Sequence, residues 1–128
     1  PGQLPRFSAL IWIKGIFILL KSVCGITHEI KGWKKHLKMT MNIIVPVGVV
    51  TFVLFDDREN SNSVNNFFTV TLSPSNYYRL TVPPGIWHAF RGHNHDLNLI
   101  LDIADIQHQP DEIIRANIDD IHFEWESI

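Results

Sequence analysis

Two stretches of the sequence contain most of the side chains that could do chemistry. The first, residues 31–38, reads Lys-Gly-Trp-Lys-Lys-His-Leu-Lys and joins four lysines to one imidazole and one indole. The second, residues 83–88, reads Pro-Pro-Gly-Ile-Trp-His. An imidazole titrates near neutral pH and can act as a base, lysines bind anions such as a diphosphate, and an indole stacks on a flat ring. These residue types indicate proton transfer or small-molecule binding, with His36 and His88 at the centre.

The second stretch forms a corner between two strand-like runs. Its prolines cannot donate ladder hydrogen bonds, and Gly85 allows a sharp turn between residues 78–82 and 86–90. The residue just past such a corner faces the cavity of a barrel, so we expect His36 and His88 to meet there. The alternative is a hydrogen-bonded structural histidine and a solvated basic loop with Trp33 packed on the barrel.

The rest of the chain reads as short strands separated by polar turns. Apolar residues alternate with a period of two, which is typical of half-buried strands. Strands are predicted over residues 39–45, which the basic stretch would open, and over 49–55, 67–72, 78–82, 97–103 and 121–126. In the run 97–103, the inward face is predicted to be formed by Leu97, Leu99, Leu101 and Ile103. Only residues 110–117 favour a helix, because a proline and two acids stand at the start. Strands of even spacing with little helix indicate a sandwich or barrel.

Length and composition favour one domain over residues 1–128. The chain is 45% hydrophobic, and its net charge of -2 gives no basic field for nucleic acid. A single cysteine, Cys24, cannot form an internal disulfide, which favours a reducing, cytoplasmic location. The apolar run 9–20 is too short to span a membrane as a helix and is interrupted by Lys14 and Gly15. It therefore predicts two strands and no membrane contact. A signal peptide is the alternative, although no A-x-A cleavage site follows.

Residues 31–121 resemble the cupins that act on nucleotide-linked keto sugars. These are the dTDP-4-dehydrorhamnose 3,5-epimerases and the dTDP-sugar 3,4-ketoisomerases, or WxcM-like proteins. The ketoisomerases have R-G-x-H-A-H and P-P-x-x-W-H, matched here by residues 31–36 and 83–88, and an acidic stretch ending in I-R, matched by 111–115. The epimerases share P-P-G-x-x-H-x-F, matched by residues 83–90.

The resemblance implies an all-β fold, a cupin-type double-stranded β-helix (jelly-roll barrel) with one short C-terminal helix. It also implies a homodimer, with strands from residues 1–30 at the interface. The implied activity is a metal-free isomerisation or epimerisation of a dTDP-4-keto-6-deoxy sugar by proton transfer next to the carbonyl. Lys34 replaces the first histidine of H-A-H and Met41 the third ligand of metal-binding cupins, so neither a metal nor another cofactor is expected.

The resemblance also implies roles for single residues. His36 would be the base, Lys34 would stabilise the oxyanion, and His88 would orient the substrate or relay a proton. The tyrosine acid of the epimerases corresponds to Leu101, and their catalytic lysine to Met41. The residues expected to bind substrate are Lys31 and Arg79 at the diphosphate, Lys38 at a phosphate or the oxyanion, and Trp33 or Trp87 at the base or sugar. Tyr78 is also expected at the substrate, where it or Tyr77 is a further candidate acid.

A different class of function stays open at this point. A cupin whose catalytic residues have drifted could bind a sugar nucleotide or another small ligand without turning it over. A structural dimer that binds no ligand is a third interpretation.

Overall fold

The computed structural model describes residues 8–13, 16–23 and 29–128. These residues form ten strands, and every paired strand runs antiparallel to its neighbour. The strands are β1 (Ser8–Ile13), β2 (Ile16–Val23), β3 (Ile30–His36), β4 (Met41–Val47), β5 (Val50–Asp56), β6 (Phe67–Leu72), β7 (Leu80–Val82), β8 (Ile86–Gly92), β9 (Asn98–Ala104) and β10 (Ile113–Arg115). The all-β prediction is confirmed.

The strands make two five-stranded sheets. The first sheet has the order β1-β2-β9-β4-β7, and the second has the order β10-β3-β8-β5-β6. Alternate residues of the strands face each other between the sheets, because successive side chains of a strand point to opposite faces. The resulting core contains Met39, Met41, Ile43, Val45, Val50, Phe52, Leu72, Val82, Ile86, Phe90, Ile100 and Ala104.

The outer face of the second sheet is also buried. A second apolar cluster there contains Trp33, Val53, Trp87, Ala89 and Trp125. Residues 116–128 cross this face and add side chains such as Ile118 and Phe123. Burial on both faces explains why β5 is apolar at almost every position, as the sequence predicted.

Two strand boundaries differ from the prediction. The basic stretch does not open the strand over residues 39–45, because β3 ends at His36 and β4 begins at Met41 in the other sheet. The basic stretch is instead a strand in its own right, paired with both β8 and β10. The strand predicted over residues 78–82 begins only at Leu80.

The predicted C-terminal helix over residues 110–117 is mostly absent. Residues Pro110–Glu112 form one 3-10 turn, and Ile113–Arg115 then pair with β3 as the edge strand β10. The β-branched Ile113 and Ile114 suit a strand better than the acidic start suits a helix. The final strand predicted over residues 121–126 is also absent, and Trp125–Ser127 form a 3-10 turn.

The predicted inward face of β9 is wrong by one residue. Its buried positions are Asn98, Ile100, Asp102 and Ala104, whereas Leu99, Leu101 and Ile103 lie on the other face and are half-buried. The predicted alternation along β9 is correct, but the prediction placed its leucines in the interior. Asn98 and Asp102 occupy the interior positions instead, so the leucines between them lie on the outer face.

The apolar run near the N-terminus forms β1 and β2, which pair with each other, and β2 adds to β9. The expected bend at Lys14 and Gly15 lies outside the described residues, as does Cys24. In the part of the chain that the structure describes, no helix is long and apolar enough to cross a membrane.

Candidate active site

His36 and His88 meet between the sheets, as expected from the sequence. His36 ends β3, and His88 lies in the neighbouring strand β8. Their rings stack with centroids 5.7 Å apart and an angle of 4° between the planes. Both residues are buried and line a small cavity of about 80 Å³ inside the barrel.

A carboxylate that the sequence did not single out holds His36 in place. Glu112 Oε2 lies 2.5 Å from His36 Nδ1, and Glu112 Oε1 accepts the backbone N–H groups of Lys38 at 3.0 Å and Met39 at 2.9 Å. Burial alone would raise the pKa of Glu112, but the hydrogen bonds from His36 and from the two N–H groups outweigh it. The pKa of Glu112 therefore lies below its ordinary value, and the side chain is a carboxylate at neutral pH.

The ionised Glu112 determines which nitrogen of His36 can act as a base. A carboxylate only accepts hydrogen bonds, so Nδ1 of His36 must carry the proton. In the neutral ring, Nε2 is then left with its lone pair for proton abstraction. A carboxylate behind the ring also stabilises the imidazolium that forms when Nε2 takes up a proton.

The cationic side chains of Lys31, Lys34 and Arg115 line a second, larger cavity of about 430 Å³. Arg115, Lys34 and His88 are at the same register on adjacent strands, because Arg115 pairs with Lys34 and Lys34 pairs with His88. Residues directly opposite in an antiparallel sheet share a face, so the two cations and the imidazole line up. The described lining of this outer cavity is Lys31, Gly32, Trp33, Lys34, His88, Phe90, Arg115, Ala116, Asn117 and Asp120.

The inner and outer cavities share Lys34, His88 and Phe90. The inner one is mostly apolar and adds a carboxyl group, that of Asp102, whose Oδ1 accepts the backbone N–H of Asn42 at 3.0 Å. Its described lining is Lys34, His36, Met39, Met41, Ile43, Phe52, His88, Phe90, Ile100, Asp102, Ala104, Ile106, His108 and Ile113. Met41 is therefore inside the barrel, whereas Leu101 is on the outer face.

The two tryptophans that were expected to stack on substrate belong to the outer cluster. Trp33 borders the outer cavity, but its side chain is fully buried against Trp125 and its indole N–H donates to Ile118 O at 3.2 Å. Trp87 Nε1–H donates to Asp57 Oδ2 at 2.8 Å, and the Lys35 ammonium lies 4.6 Å from the Trp87 ring. The structure does not bring the Trp87 ring to either cavity.

The remaining residues predicted to bind substrate are exposed. Lys38, Tyr78 and Arg79 lie outside the described lining of both cavities. Lys38 contributes to the site through its backbone N–H to Glu112 rather than through its ammonium group. Tyr78 is 66% exposed and Tyr77 is 52% exposed.

Two further histidines, His93 and His108, lie in different surroundings. His93 Nε2 is 2.7 Å from Thr51 Oγ1, whereas His108 lines the inner cavity. Within the described ranges, no group of three or more His, Cys, Asp and Glu side chains is placed to hold a metal ion.

Two facing antiparallel sheets with the candidate site between them define a cupin-type jelly roll. Residues 25–128 match the family described as dTDP-4-dehydrorhamnose 3,5-epimerase, and the chain belongs to that family. This confirms the resemblance seen in the two sequence motifs.

Solved structures agree with this assignment. A dTDP sugar isomerase from Desulfovibrio desulfuricans G20 is 29% identical, with a TM-score of 0.80 over 96% of this chain and 90% of that one. A dTDP-6-deoxy-D-glucose-3,5-epimerase from Legionella pneumophila Philadelphia 1, in complex with dTDP-4-keto-L-rhamnose, is 13% identical and shares the fold. Its TM-score is 0.66 over 89% of this chain and 79% of that one.

A sequence relative is the probable low-salt glycan biosynthesis epimerase Agl13 of Haloferax volcanii. It is 25% identical over 73 residues, which are 56% of this chain. The match spans 47% of the length of that relative, so slightly less than half of it is compared.

Proposed function

We propose that the protein is an isomerase or epimerase of a dTDP-4-keto-6-deoxy sugar and works by proton transfer next to the carbonyl, without a metal. The observation that supports this proposal best is the buried His36, oriented by the carboxylate of Glu112 and stacked on His88. A purely structural histidine does not need an ionised partner behind it and a cavity in front of it.

In the proposed reaction, His36 Nε2 removes the proton from the carbon next to the C4 keto group. The electron pair of the broken C–H bond forms a C=C bond, and negative charge moves to the C4 oxygen. Lys34 lines the same cavity and supplies a positive charge that can stabilise this oxygen. His36 and Glu112 are buried away from water, and the lower dielectric constant there strengthens electrostatic interactions. Return of a proton to carbon completes the isomerisation or epimerisation.

The diphosphate of the substrate fits the outer cavity. Lys31 and Arg115 line it, and Lys34 borders both cavities, so the sugar would extend inward from the diphosphate towards His36. Arginine and lysine are the usual partners of phosphate oxygens. This placement replaces the predicted pairing of Lys31 with Arg79 by a pairing of Lys31 with Arg115. Lys38 and Tyr78 have no role in it, and Trp33 and Trp87 act through packing.

The test is deuterium exchange into dTDP-4-keto-6-deoxyglucose in heavy water, followed by NMR. We expect incorporation next to the keto group with the parent protein and a loss of about 100-fold or more for His36→Asn, since a general base contributes ~10²–10⁴-fold. His122→Asn is the control, because His122 also contacts a glutamate but is 84% exposed. Exchange at the parent rate in His36→Asn would contradict the proposal. Binding of dTDP with no exchange in the parent would instead establish a non-catalytic cupin.

The diphosphate position has its own test. Arg115→Met and Lys34→Met should each weaken dTDP binding roughly 10- to 150-fold, because a hydrogen bond to a charged group contributes ~1.5–3 kcal/mol. Lys38→Met removes a lysine of the same basic stretch that lies outside both cavities, and it should leave the affinity unchanged. Equal affinities for all three variants in calorimetry would refute the placement. The homodimer and the cytoplasmic location remain predictions, drawn from the family resemblance and from the single cysteine.

A further inference from the structure

We propose that Asp102 is a catalytic acid that delivers a proton to the face of the substrate carbon opposite His36. This proposal rests on the proposed function above and makes it more specific, because it assigns the reaction to inversion at carbon rather than to a shift along one face. Nothing in the sequence motifs pointed to Asp102, which the predicted register of β9 had placed on the outside.

The positions of the two groups in the fold lead to this assignment. His36 and His88 belong to β3 and β8 in the second sheet, whereas Asp102 belongs to β9 in the first sheet. All three side chains are buried and line the same inner cavity. A flat enolate held between the sheets would therefore have an imidazole towards one face and a carboxyl group towards the other. Inversion needs this arrangement, because the proton leaves from one face and returns to the opposite face.

The tyrosines of this chain do not provide the acid. The sequence contains two, Tyr77 and Tyr78, and both are more than half exposed on the segment that precedes β7. Asp102 on β9 is buried and lines the inner cavity. The other described residues of the first sheet that line this cavity are apolar: Met41, Ile43, Ile100 and Ala104. On this side of the cavity, Asp102 is therefore the described residue whose side chain can carry a proton for donation.

The proton transfers balance as follows. The step requires Asp102 as a carboxylic acid, with its proton taken up from solvent, and His36 as a neutral imidazole. His36 Nε2 takes the proton from carbon and becomes an imidazolium, and the C–H electron pair forms the enolate. The enolate then reforms the C4=O bond, the carbon takes the proton of the Asp102 carboxyl group, and Asp102 becomes a carboxylate. Transfer of one proton from the imidazolium to Asp102 through solvent restores both groups.

Asp102→Asn is the informative variant, because its amide oxygen can still accept the Asn42 N–H while the acidic proton is lost. Asp105→Asn is a matched control: Asp105 Oδ1 accepts the N–H of Thr40 at 2.9 Å, but Asp105 is exposed and outside the described cavity lining. Both variants, the parent and His36→Asn are incubated with dTDP-4-keto-6-deoxyglucose in heavy water. NMR then measures deuterium exchange and inversion separately, and thermal melting checks that each protein is folded.

We expect Asp102→Asn to keep deuterium exchange within about threefold of the parent, because His36 can return deuterium to the face it attacked. Inversion should fall by about 100-fold or more. Asp102→Glu retains a carboxyl group and should restore inversion at least tenfold over Asp102→Asn, which a merely structural role would not do. Asp105→Asn should match the parent in both measurements.

Inversion at the parent rate in Asp102→Asn would overturn this assignment and leave the proposed function intact. Equal loss of exchange and inversion in a folded Asp102→Asn would also overturn it, because Asp102 would then act before or during proton removal. A parent protein that neither exchanges nor inverts would overturn the proposed function itself. The failures of the two proposals are thus distinguishable in one experiment.

Discussion

Replacing Glu112 with glutamine tests whether the carboxylate controls the base. Glutamine is close in shape, and its amide oxygen can still accept the N–H groups of Lys38 and Met39. Its NH2 group then faces His36 Nδ1 as a donor, so the ring must place its proton on Nε2 instead. His36 would thereby lose the lone pair that takes the substrate proton. An orienting carboxylate of this kind contributes roughly 10³–10⁴-fold to rate, and we expect a loss of that order for Glu112→Gln.

The stability of the same position separates this effect from simple unfolding. Glu112→Gln loses the charge-assisted bond to His36 but keeps the two backbone hydrogen bonds, so we expect a cost of about 1–2 kcal/mol. Glu112→Ala leaves both N–H groups without their acceptor, and each unsatisfied buried group costs about 1–3 kcal/mol. Glu112→Ala should therefore be about 2–6 kcal/mol less stable than the parent by urea denaturation.

Deuterium exchange and urea denaturation, run together, compare activity with stability. Glu124→Gln is the matched control, because Glu124 Oε1 lies 2.9 Å from His122 Nε2 but both side chains are more than 70% exposed. It should change neither activity nor stability by a measurable amount, since exposed pairs contribute ~0–1 kcal/mol. Activity within threefold of the parent in a folded Glu112→Gln would refute the reasoning about the tautomer of His36.

Two further predictions concern stability. Gly48→Ala should cost at least about 1 kcal/mol more stability than Gly85→Ala by urea denaturation. Both glycines have φ of +87°, so the backbone strain of the two substitutions is similar. A Cβ at Gly48 would lie 2.5 Å from Leu97 O, whereas a Cβ at Gly85 would meet the flexible Arg58 side chain at 3.1 Å. Equal costs would contradict this. Hydrogen bonds from Arg58, Ser61 and Ser63 keep the pKa of Asp56 well below its ordinary value in the folded protein, with the Arg58 bond contributing most. The stability from Asp56 is thus fully present above about pH 4 and is lost as the pH falls. Asp56→Asn should be less stable at pH 7 and show a flatter decline between about pH 4 and 2, and an unchanged slope would count against the role of Asp56.

Much of the fold follows from local patterns that the sequence states directly. The strands β5 and β6 were predicted almost to the residue, because an apolar run and an alternating run are bounded by polar turns. The corner at Pro83 to Gly85 correctly placed His88 just inside the barrel. The split between β3 and β4 was missed, since the chain changes sheets near Leu37 with no proline or glycine to mark the bend.

The candidate site was only half predictable for a physical reason. His36 and His88 could be identified by residue type and by the family motifs, and the roles assigned to them stay predictions. Glu112 lies 76 residues from His36 in sequence, and an acid beside a proline reads as a helix start until its partner is known. Asp102 was missed because alternation fixes which residues share a face but not which face is inside. The outward-facing leucines of β9 are apolar enough to pass for a core.

The short edge strand β10 has a consequence for how the protein responds to heat. In the described part of the chain, Ile113–Arg115 pair with β3 on the side of β3 opposite β8, and two backbone hydrogen bonds between Ala116 and Trp33 extend this pairing. Edge elements of this kind open with less free energy than central strands do. Fraying of β10 would draw Glu112 away from His36 while both sheets stay closed. The turnover rate should then fall several degrees below the melting temperature and recover on cooling, because His36 loses its orienting carboxylate before the protein unfolds.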